Sequence, residues 1–128
     1  MSAKHLYEYA VLRYVPCVAR QEFVNVGVLL YCKSPRFIGM KYALDENRIL
    51  AFCPTANLAE VRPYLESMER ICAGAKDSGP IGQLDPPSRF RWLSAARSTI
   101  LQVSPVHPGL CTAPAAELER IFAEQVGA

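Results

Sequence analysis

Asn25 and Gly27 interrupt the apolar segment EFVNVGVLLYC, residues 22–32, and are the first candidates for chemistry in this chain. A glycine inside a strand commonly marks a bulge, or a close approach by a ligand or another backbone. A ligand pocket beside Gly27 is therefore one interpretation. The other is structural: Asn25 bonds the neighbouring turn, since buried amides usually bond to backbone, and Gly27 accommodates an aromatic ring from the first strand. The sequence favours the structural interpretation.

His107 is the second candidate, because the prolines of SPVHPG fix its loop and histidine exchanges protons near neutral pH. No acid-base partner stands near it in the sequence. The only other histidine is His5, so no HxH or HxxxH spacing predicts a metal site. No motif in the sequence predicts a nucleotide or any other cofactor.

A third candidate is a stretch that interleaves basic with aromatic residues, where Arg89, Arg91 and Arg97 surround Phe90 and Trp92. Such residues can bind phosphates while stacking bases. The net charge of +2 and the pI of about 8.3 are well below those of a strongly basic nucleic-acid-binding domain. We therefore expect the rings to pack inward while the arginines cover an edge. Nucleic-acid binding is the weaker alternative.

The composition is that of an ordered globular protein, with 51% hydrophobic and 20% charged residues. The length of 128 residues predicts a single domain, residues 1–128, whose core runs from about residue 6 to residue 126. The longest apolar run, residues 26–32, is far shorter than the roughly 20 residues that span a bilayer. No secretion signal is recognisable, and five widely spaced cysteines fit neither a disulfide framework nor a CxxC site. We expect reduced thiols, with Cys32 and Cys72 in the core, in the cytoplasm.

Three strands are predicted at residues 6–15, 23–33 and 37–42, which are rich in β-branched and aromatic side chains. Their connections, at residues 16–20 and 34–36, are short, so the strands are expected to be antiparallel neighbours. In the second strand a period of two predicts an apolar face formed by Val24, Val26, Val28, Leu30 and Cys32. The opposite face would carry Asn25, Gly27, Leu29 and Tyr31.

Helical periodicity follows the third strand. Asp45 is placed to cap one or two turns that reach Phe52. Apolar residues at steps of three and four then predict an amphipathic helix from Leu58, Val61, Leu65, Met68 and Cys72. Gly74 would end this helix, and Pro63 leaves its first residue open. Residues 78–82 predict a turn or a mobile loop.

Asp85 and Pro86 favour a short helix over residues 87–96, although the alternation of residues 89–92 suits a strand equally well. Residues 99–104 predict a fourth strand. Residues 106–110 would extend it irregularly, because prolines interrupt strand pairing.

A C-terminal helix is predicted from the stripe of Leu118, Ile121, Phe122 and Val126. Thr112 would cap it, with Pro114 in the first turn. The predicted class is α+β, with a single antiparallel sheet of about four strands in the order βββ-α-α-β-α and the helices packed mainly on one face.

Five segments of the chain, YEYAVLRYVP, EFVNVGVLLYC, GPIG, RFRWLSAARSTILQ and SPVHPGLC, together resemble the bacterial domain-of-unknown-function 3037 family (DUF3037) over roughly residues 6–122. The resemblance implies a stand-alone bacterial cytosolic protein without an established activity. It also implies a protein partner, because members are often encoded beside a kinase-like protein of the HipA type. The polar residues that fall within the family motifs are Glu22, Asn25, Arg97, Ser98 and His107, of which Ser98 carries the least weight.

Two classes of function follow. A binding or regulatory module for a protein partner is favoured, because the sequence shows no nucleophile with an oriented base. Its surface would be mildly basic, since residues 1–44 carry a net charge of +4 and residues 86–112 carry +3. The alternative is a small enzyme or small-ligand binder in which Glu22, Asn25, Arg97 and His107 converge on a pocket beside Gly27. Neither class requires a metal or a cofactor.

Overall fold

A computed structural model describes residues 3–127, which form one antiparallel sheet and five helices. The strands are β1 (His5–Tyr14), β2 (Val24–Cys32), β3 (Phe37–Tyr42), β4 (Leu101–Val103) and β5 (His107–Cys111). The helices are α1 (Glu46–Phe52), α2 (Leu58–Ala73), α3 (Gly79–Gly82), α4 (Pro86–Leu93) and α5 (Pro114–Gln125). A short 3₁₀ helix, Val18–Arg20, lies between β1 and β2. The predicted α+β class is confirmed.

The sheet has the order β3-β2-β1-β4, and β5 pairs with the same edge of β1 as β4 does. Between β4 and β5 the ladder continues through Ser104, whose N–H donates to the Val11 carbonyl at 2.8 Å. The Ser104 hydroxyl in turn accepts from the Val11 N–H at 2.8 Å. β4 and β5 therefore form one interrupted fourth strand, as the prolines at 105 and 108 predict.

The helix boundaries follow from side-chain caps. Asn57 Oδ1 accepts a hydrogen bond from the Ala59 N–H at 3.1 Å, so α2 begins at Leu58 and contains Pro63. The helix ends at Gly74, whose φ of +68° is the left-handed conformation that favours glycine. Asp85 caps α4 through the Ser88 N–H at 3.1 Å, and residues 86–93 are helical rather than extended.

Two other predicted ends differ in detail from the structure. Residues 79–82 form the single helical turn α3, and the predicted Thr112 cap is wrong. Ala113 occupies the cap position of α5 without a side-chain hydrogen bond, and Pro114 is the first helical residue, as predicted. Proline suits this position because its missing N–H would have no partner within the helix.

Helices cover both faces of the sheet, but unequally. α1, α2 and α4 share one core cluster with Leu12, Leu29 and Leu101. α5 alone covers the opposite face, where Leu118 and Ile121 pack against residues of β1, β2 and β5. The helices are therefore mainly on one face, and a second, smaller core lies beneath α5.

A β-bulge in the β1–β2 pairing changes the predicted faces of β2. Leu12 pairs with Gly27, but the next residue of β1, Arg13, pairs with Asn25. The extra residue, Val26, turns Val24 and Val26 toward the face that α1, α2 and α4 cover, whereas Val28, Leu30 and Cys32 face α5. The prediction of one continuous apolar face from Val24 to Cys32 is wrong for this reason.

Within residues 3–127 no helix has both the length and the apolar content needed to cross a membrane. All five cysteines are free thiols, and Cys32, Cys72 and Cys111 are buried. The predicted core positions of Cys32 and Cys72 are confirmed. Burial raises the pKa of the Cys72 thiol to about 12, so it is protonated at neutral pH.

Candidate protein-interaction site

Glu22 lies in the exposed connection that leads into β2. Its Oε1 accepts a hydrogen bond from Arg20 Nε at 2.6 Å, and both side chains line a cleft with Phe52 and Cys53. Gln21, between them, has a φ of +60°. The pair is solvent-exposed, and such ion pairs contribute little to stability.

Asn25 and Gly27 have structural roles. Asn25 Nδ2 donates to the Gln125 carbonyl at the end of α5 at 3.0 Å. The Asn25 amide therefore bonds to backbone, as predicted, but this backbone belongs to α5 and not to the neighbouring turn. A Cβ at Gly27 would lie 2.9 Å from Leu12 Cδ1 and from Tyr42 Cβ, and 2.8 Å from a β3 carbonyl oxygen. Leu12 and the β3 backbone fill the gap, where a ring from the first strand was expected.

His107 is exposed on β5 and pairs with Tyr9 of β1. Their ring centroids are 5.4 Å apart at an interplanar angle of 36°. Within residues 3–127 no carboxylate is hydrogen-bonded to the imidazole. The ring therefore has an aromatic neighbour but lacks the oriented acidic partner that a catalytic base commonly uses.

Arg97 holds the C-terminal end of α4. Its Nη1 donates to the Leu93 carbonyl at 2.6 Å and to the Ala95 carbonyl at 3.3 Å, while Nη2 donates to the Trp92 carbonyl at 2.8 Å. The guanidinium carbon lies 4.8 Å from the centroid of the Trp92 ring. Burial lowers the pKa of Arg97, but an arginine stays charged in any case.

The side chains that were predicted to converge therefore lie at separate places. Glu22 lines the cleft beside α1, Asn25 lines a second cavity at the end of α5, and Arg97 lines a third between α2 and α4. In the described residues these three cavities share none of the candidate residues, and Gly27 and His107 line none of them. The bulge turns Asn25 toward α5, and Leu12 fills the space at Gly27. In the described part of the chain, no three His, Cys, Asp or Glu residues are grouped as metal ligands.

The predicted basic surface is also smaller than its sequence suggests. Arg89 is half-buried, and its Nη1 donates to the Leu84 carbonyl at 3.1 Å. Arg91 is exposed and bonds only to Ser88 Oγ at 3.2 Å. Because Arg97 is engaged by three carbonyls, Arg91 is the one arginine of the three whose charge lies fully at the surface. Trp92 remains exposed, contrary to the expected inward packing.

The most distinctive surface feature is a cleft between α2 and α4, which we call the α2–α4 cleft. Tyr64 is 52% exposed and Trp92 is 41% exposed, and both line a cavity of about 110 Å³ together with Arg97. The floor is apolar and is formed by Met68, Ile71 and Leu101. Two exposed aromatic rings beside an apolar floor can take up one bulky apolar side chain.

A family model described as a protein of unknown function, DUF3037, matches residues 9–126. This match spans nearly the whole chain. The chain belongs to the DUF3037 family. Comparisons with curated proteins and with solved structures gave no match. The DUF3037 match includes every residue of the α2–α4 cleft, but the family description assigns no activity to it.

Sequence reasoning identified Arg97 and Trp92 of this DUF3037 protein but missed Tyr64. Tyr64 lies between Val61 and Leu65, which are both fully buried, so the apolar periodicity of α2 gives no sign of its exposure. Its spacing from Ser67 and Met68 does place it on the side of the helix that lines the cleft. That spacing was the available signal.

Proposed function

We propose that this DUF3037 protein is a binding module for a protein partner and that the α2–α4 cleft takes up a bulky apolar side chain of that partner. The observation that supports this proposal is the exposure of Trp92 and Tyr64 on two helices above an apolar floor. Tryptophan, tyrosine and arginine are the residue types that most often dominate binding free energy at protein interfaces. All three occur together here.

Arg97 supports the same function in two ways. Its hydrogen bonds to the end of α4 fix the guanidinium against the Trp92 ring, so part of the surface is ordered before binding. Within residues 3–127 it forms no ion pair with a carboxylate. A partner that carries an acidic group beside the apolar side chain would therefore gain a favourable charge interaction.

The resemblance to DUF3037 proteins suggests a HipA-type kinase-like protein as the first partner to test. In this proposal the module binds that protein in the bacterial cytoplasm and regulates it. The five free cysteines are consistent with a reducing compartment. The enzyme alternative is less well supported, since in residues 3–127 Glu22, Asn25 and Arg97 line three different cavities.

Calorimetric titration of the full chain with the purified kinase-like protein tests the proposal. We expect association at micromolar concentrations, and we expect Trp92→Ala to weaken it by about 30-fold or more, as loss of a central aromatic anchor does. Phe52→Ala is the matched control, because Phe52 is also 41% exposed but lies outside the cleft. It should leave the affinity nearly unchanged.

Two results would contradict the proposal. One is the absence of association at micromolar concentrations. The other is an equal loss of affinity in the Trp92 and Phe52 variants, which would show that the cleft is not the binding surface. Thermal unfolding of each variant is measured alongside, so that a folding defect is not mistaken for a binding defect.

A further inference from the structure

A second uncovered surface lies at the opposite end of the sheet, and we call it the Leu6–Leu110 surface. Leu6 is 63% exposed and Leu110 is 61% exposed, the highest values among the large apolar side chains that the structure describes. The two residues are direct partners in the β1–β5 pairing, so their side chains are neighbours on one face. This face is the one that α2 and α4 cover farther along β1, because Leu6 and Leu12 alternate to the same side.

Beside Leu6 lies a groove of about 420 Å³, whose lining includes Lys4, Glu8, Tyr31 and Lys33. Two lysines and one glutamate make this groove net basic. Within residues 3–127 neither lysine is paired with a carboxylate. The apolar pair is therefore bordered by two lysines that form no ion pair within the described residues, and Glu8 offsets only part of their charge.

These charges distinguish between possible occupants. A second copy that packed the same surface against itself would bring these lysines toward their own copies, and like charges repel. Addition of a strand to the β5 edge is disfavoured by Pro108 within β5, because proline lacks the N–H that such pairing uses. An amphipathic helix satisfies both constraints, since exposed sheet faces are normally covered by helices and its flanks can carry acidic residues.

We propose that the Leu6–Leu110 surface binds an amphipathic helix of a protein partner, with an apolar stripe on the two leucines and acidic side chains opposite Lys4 and Lys33. This surface is separate from the α2–α4 cleft. Leu101 of the cleft pairs with Tyr14, and Leu6 lies eight residues earlier on β1, which corresponds to about 26 Å. The proposal does not depend on what the cleft binds.

Two labelled designed peptides test this proposal by fluorescence polarisation against the full chain. Both are amphipathic helices with the same leucine stripe, but one has glutamates along its flanks and the other has lysines. We expect the glutamate peptide to bind about tenfold more tightly at low salt, since it gains two ion pairs and avoids repulsion. The difference should shrink at about 0.5 M salt because surface charges are screened.

Variants assign the binding to the surface. Combined Leu6→Thr and Leu110→Thr changes should abolish binding of the glutamate peptide, whereas Val18→Thr, at an exposed apolar residue in the connection between β1 and β2, should not. Threonine is chosen because it suits a strand. Combined Lys4→Glu and Lys33→Glu changes, at exposed positions, should make the lysine peptide the tighter binder. This variant tests the proposal even if the leucine variant folds poorly. Trp92→Ala should leave peptide binding unchanged.

The proposal is overturned if neither peptide binds or if both bind equally. A Lys4→Glu and Lys33→Glu variant that still binds the glutamate peptide more tightly than the lysine peptide would overturn it as well. It is also overturned if binding persists in a folded leucine variant. Sedimentation of the chain alone provides a further check: a dimer that dissociates in Leu110→Thr would identify a second copy as the occupant instead.

Discussion

The substitution Gly27→Ala tests whether the Asn25 and Gly27 interruption of β2 is structural. Gly27 is buried at the centre of the sheet, between β1 and β3. An added methyl group would approach Leu12 Cδ1 and Tyr42 Cβ at 2.9 Å and the Lys41 carbonyl oxygen at 2.8 Å. All three distances are shorter than ordinary van der Waals contacts.

The expected cost follows from these contacts. Leu12 can rotate, but the Lys41 carbonyl is part of the β2–β3 pairing and cannot move without disturbing the sheet. Overpacking of this kind typically costs about 1–3 kcal/mol. Alanine also reduces the freedom of the unfolded chain, which offsets about 0.4–1 kcal/mol. We therefore expect Gly27→Ala to lower the free energy of unfolding by about 1–2 kcal/mol in urea denaturation.

Gly39→Ala is the control, because Gly39 lies on the adjacent strand β3. There a Cβ would meet Phe37 Cζ at 2.7 Å and Leu118 Cδ2 at 3.0 Å, and both are ends of side chains that can shift. We expect a loss below about 1 kcal/mol. A Gly27→Ala protein as stable as the parent chain, or a larger loss in Gly39→Ala, would refute this reasoning.

Four further substitutions have defined expectations. Ser104→Ala leaves a buried β1 N–H without its acceptor and should cost about 1–3 kcal/mol in urea denaturation. Hydrogen bonds from Arg120, and to a smaller extent from Tyr7, lower the pKa of Glu117 below 4.5. The stability that these bonds provide is lost as pH falls through the lowered pKa. Glu117→Gln should therefore reduce the loss of stability in acid. Burial, together with the hydrogen bond to Glu117, raises the pKa of Tyr7 from 10.0 to about 12. The stability contributed by the protonated Tyr7 hydroxyl is therefore lost as pH rises from 10.0 to about 12. Tyr7→Phe should remove this loss at high pH. Arg97→Lys replaces two donor nitrogens, which reach carbonyls on and just after α4, with a single nitrogen. We therefore expect a loss of about 1 kcal/mol and altered emission of the single tryptophan.

The sequence predicted the elements of the fold because their signals are local. The three-and-four spacing of α2 and the turn residues between the first strands act over a few positions. Gly27 indicated a bulge as one possibility, but its place at Val26 was not predictable, since the valines of β2 alternate as they would in a regular strand. Their faces are set by the pairing of Arg13 with Asn25, a contact between residues in different strands. One residue of register shift moves side chains to the other face.

The candidate site was predictable only in part, and the reason is exposure. Trp92 and Arg97 stand out in the sequence because they occur together in one motif. The exposure of Tyr64, Leu6 and Leu110 depends on where helices stop covering the molecule, and apolar residue type alone does not distinguish a buried side chain from an exposed one. His107 lines none of the cavities that Glu22, Asn25 and Arg97 line, and the sequence could not show this, since convergence is a property of tertiary packing.

The environment of Trp92 during partner binding tests the proposed function most directly. Because Trp92 is the only tryptophan in the chain, incorporation of a fluorine-labelled tryptophan gives one resonance that reports on the α2–α4 cleft. On titration with the HipA-type kinase-like protein, this resonance should shift and saturate at the same affinity that calorimetry measures. Calorimetric binding that leaves the resonance unchanged would contradict the assignment of the cleft as the binding site.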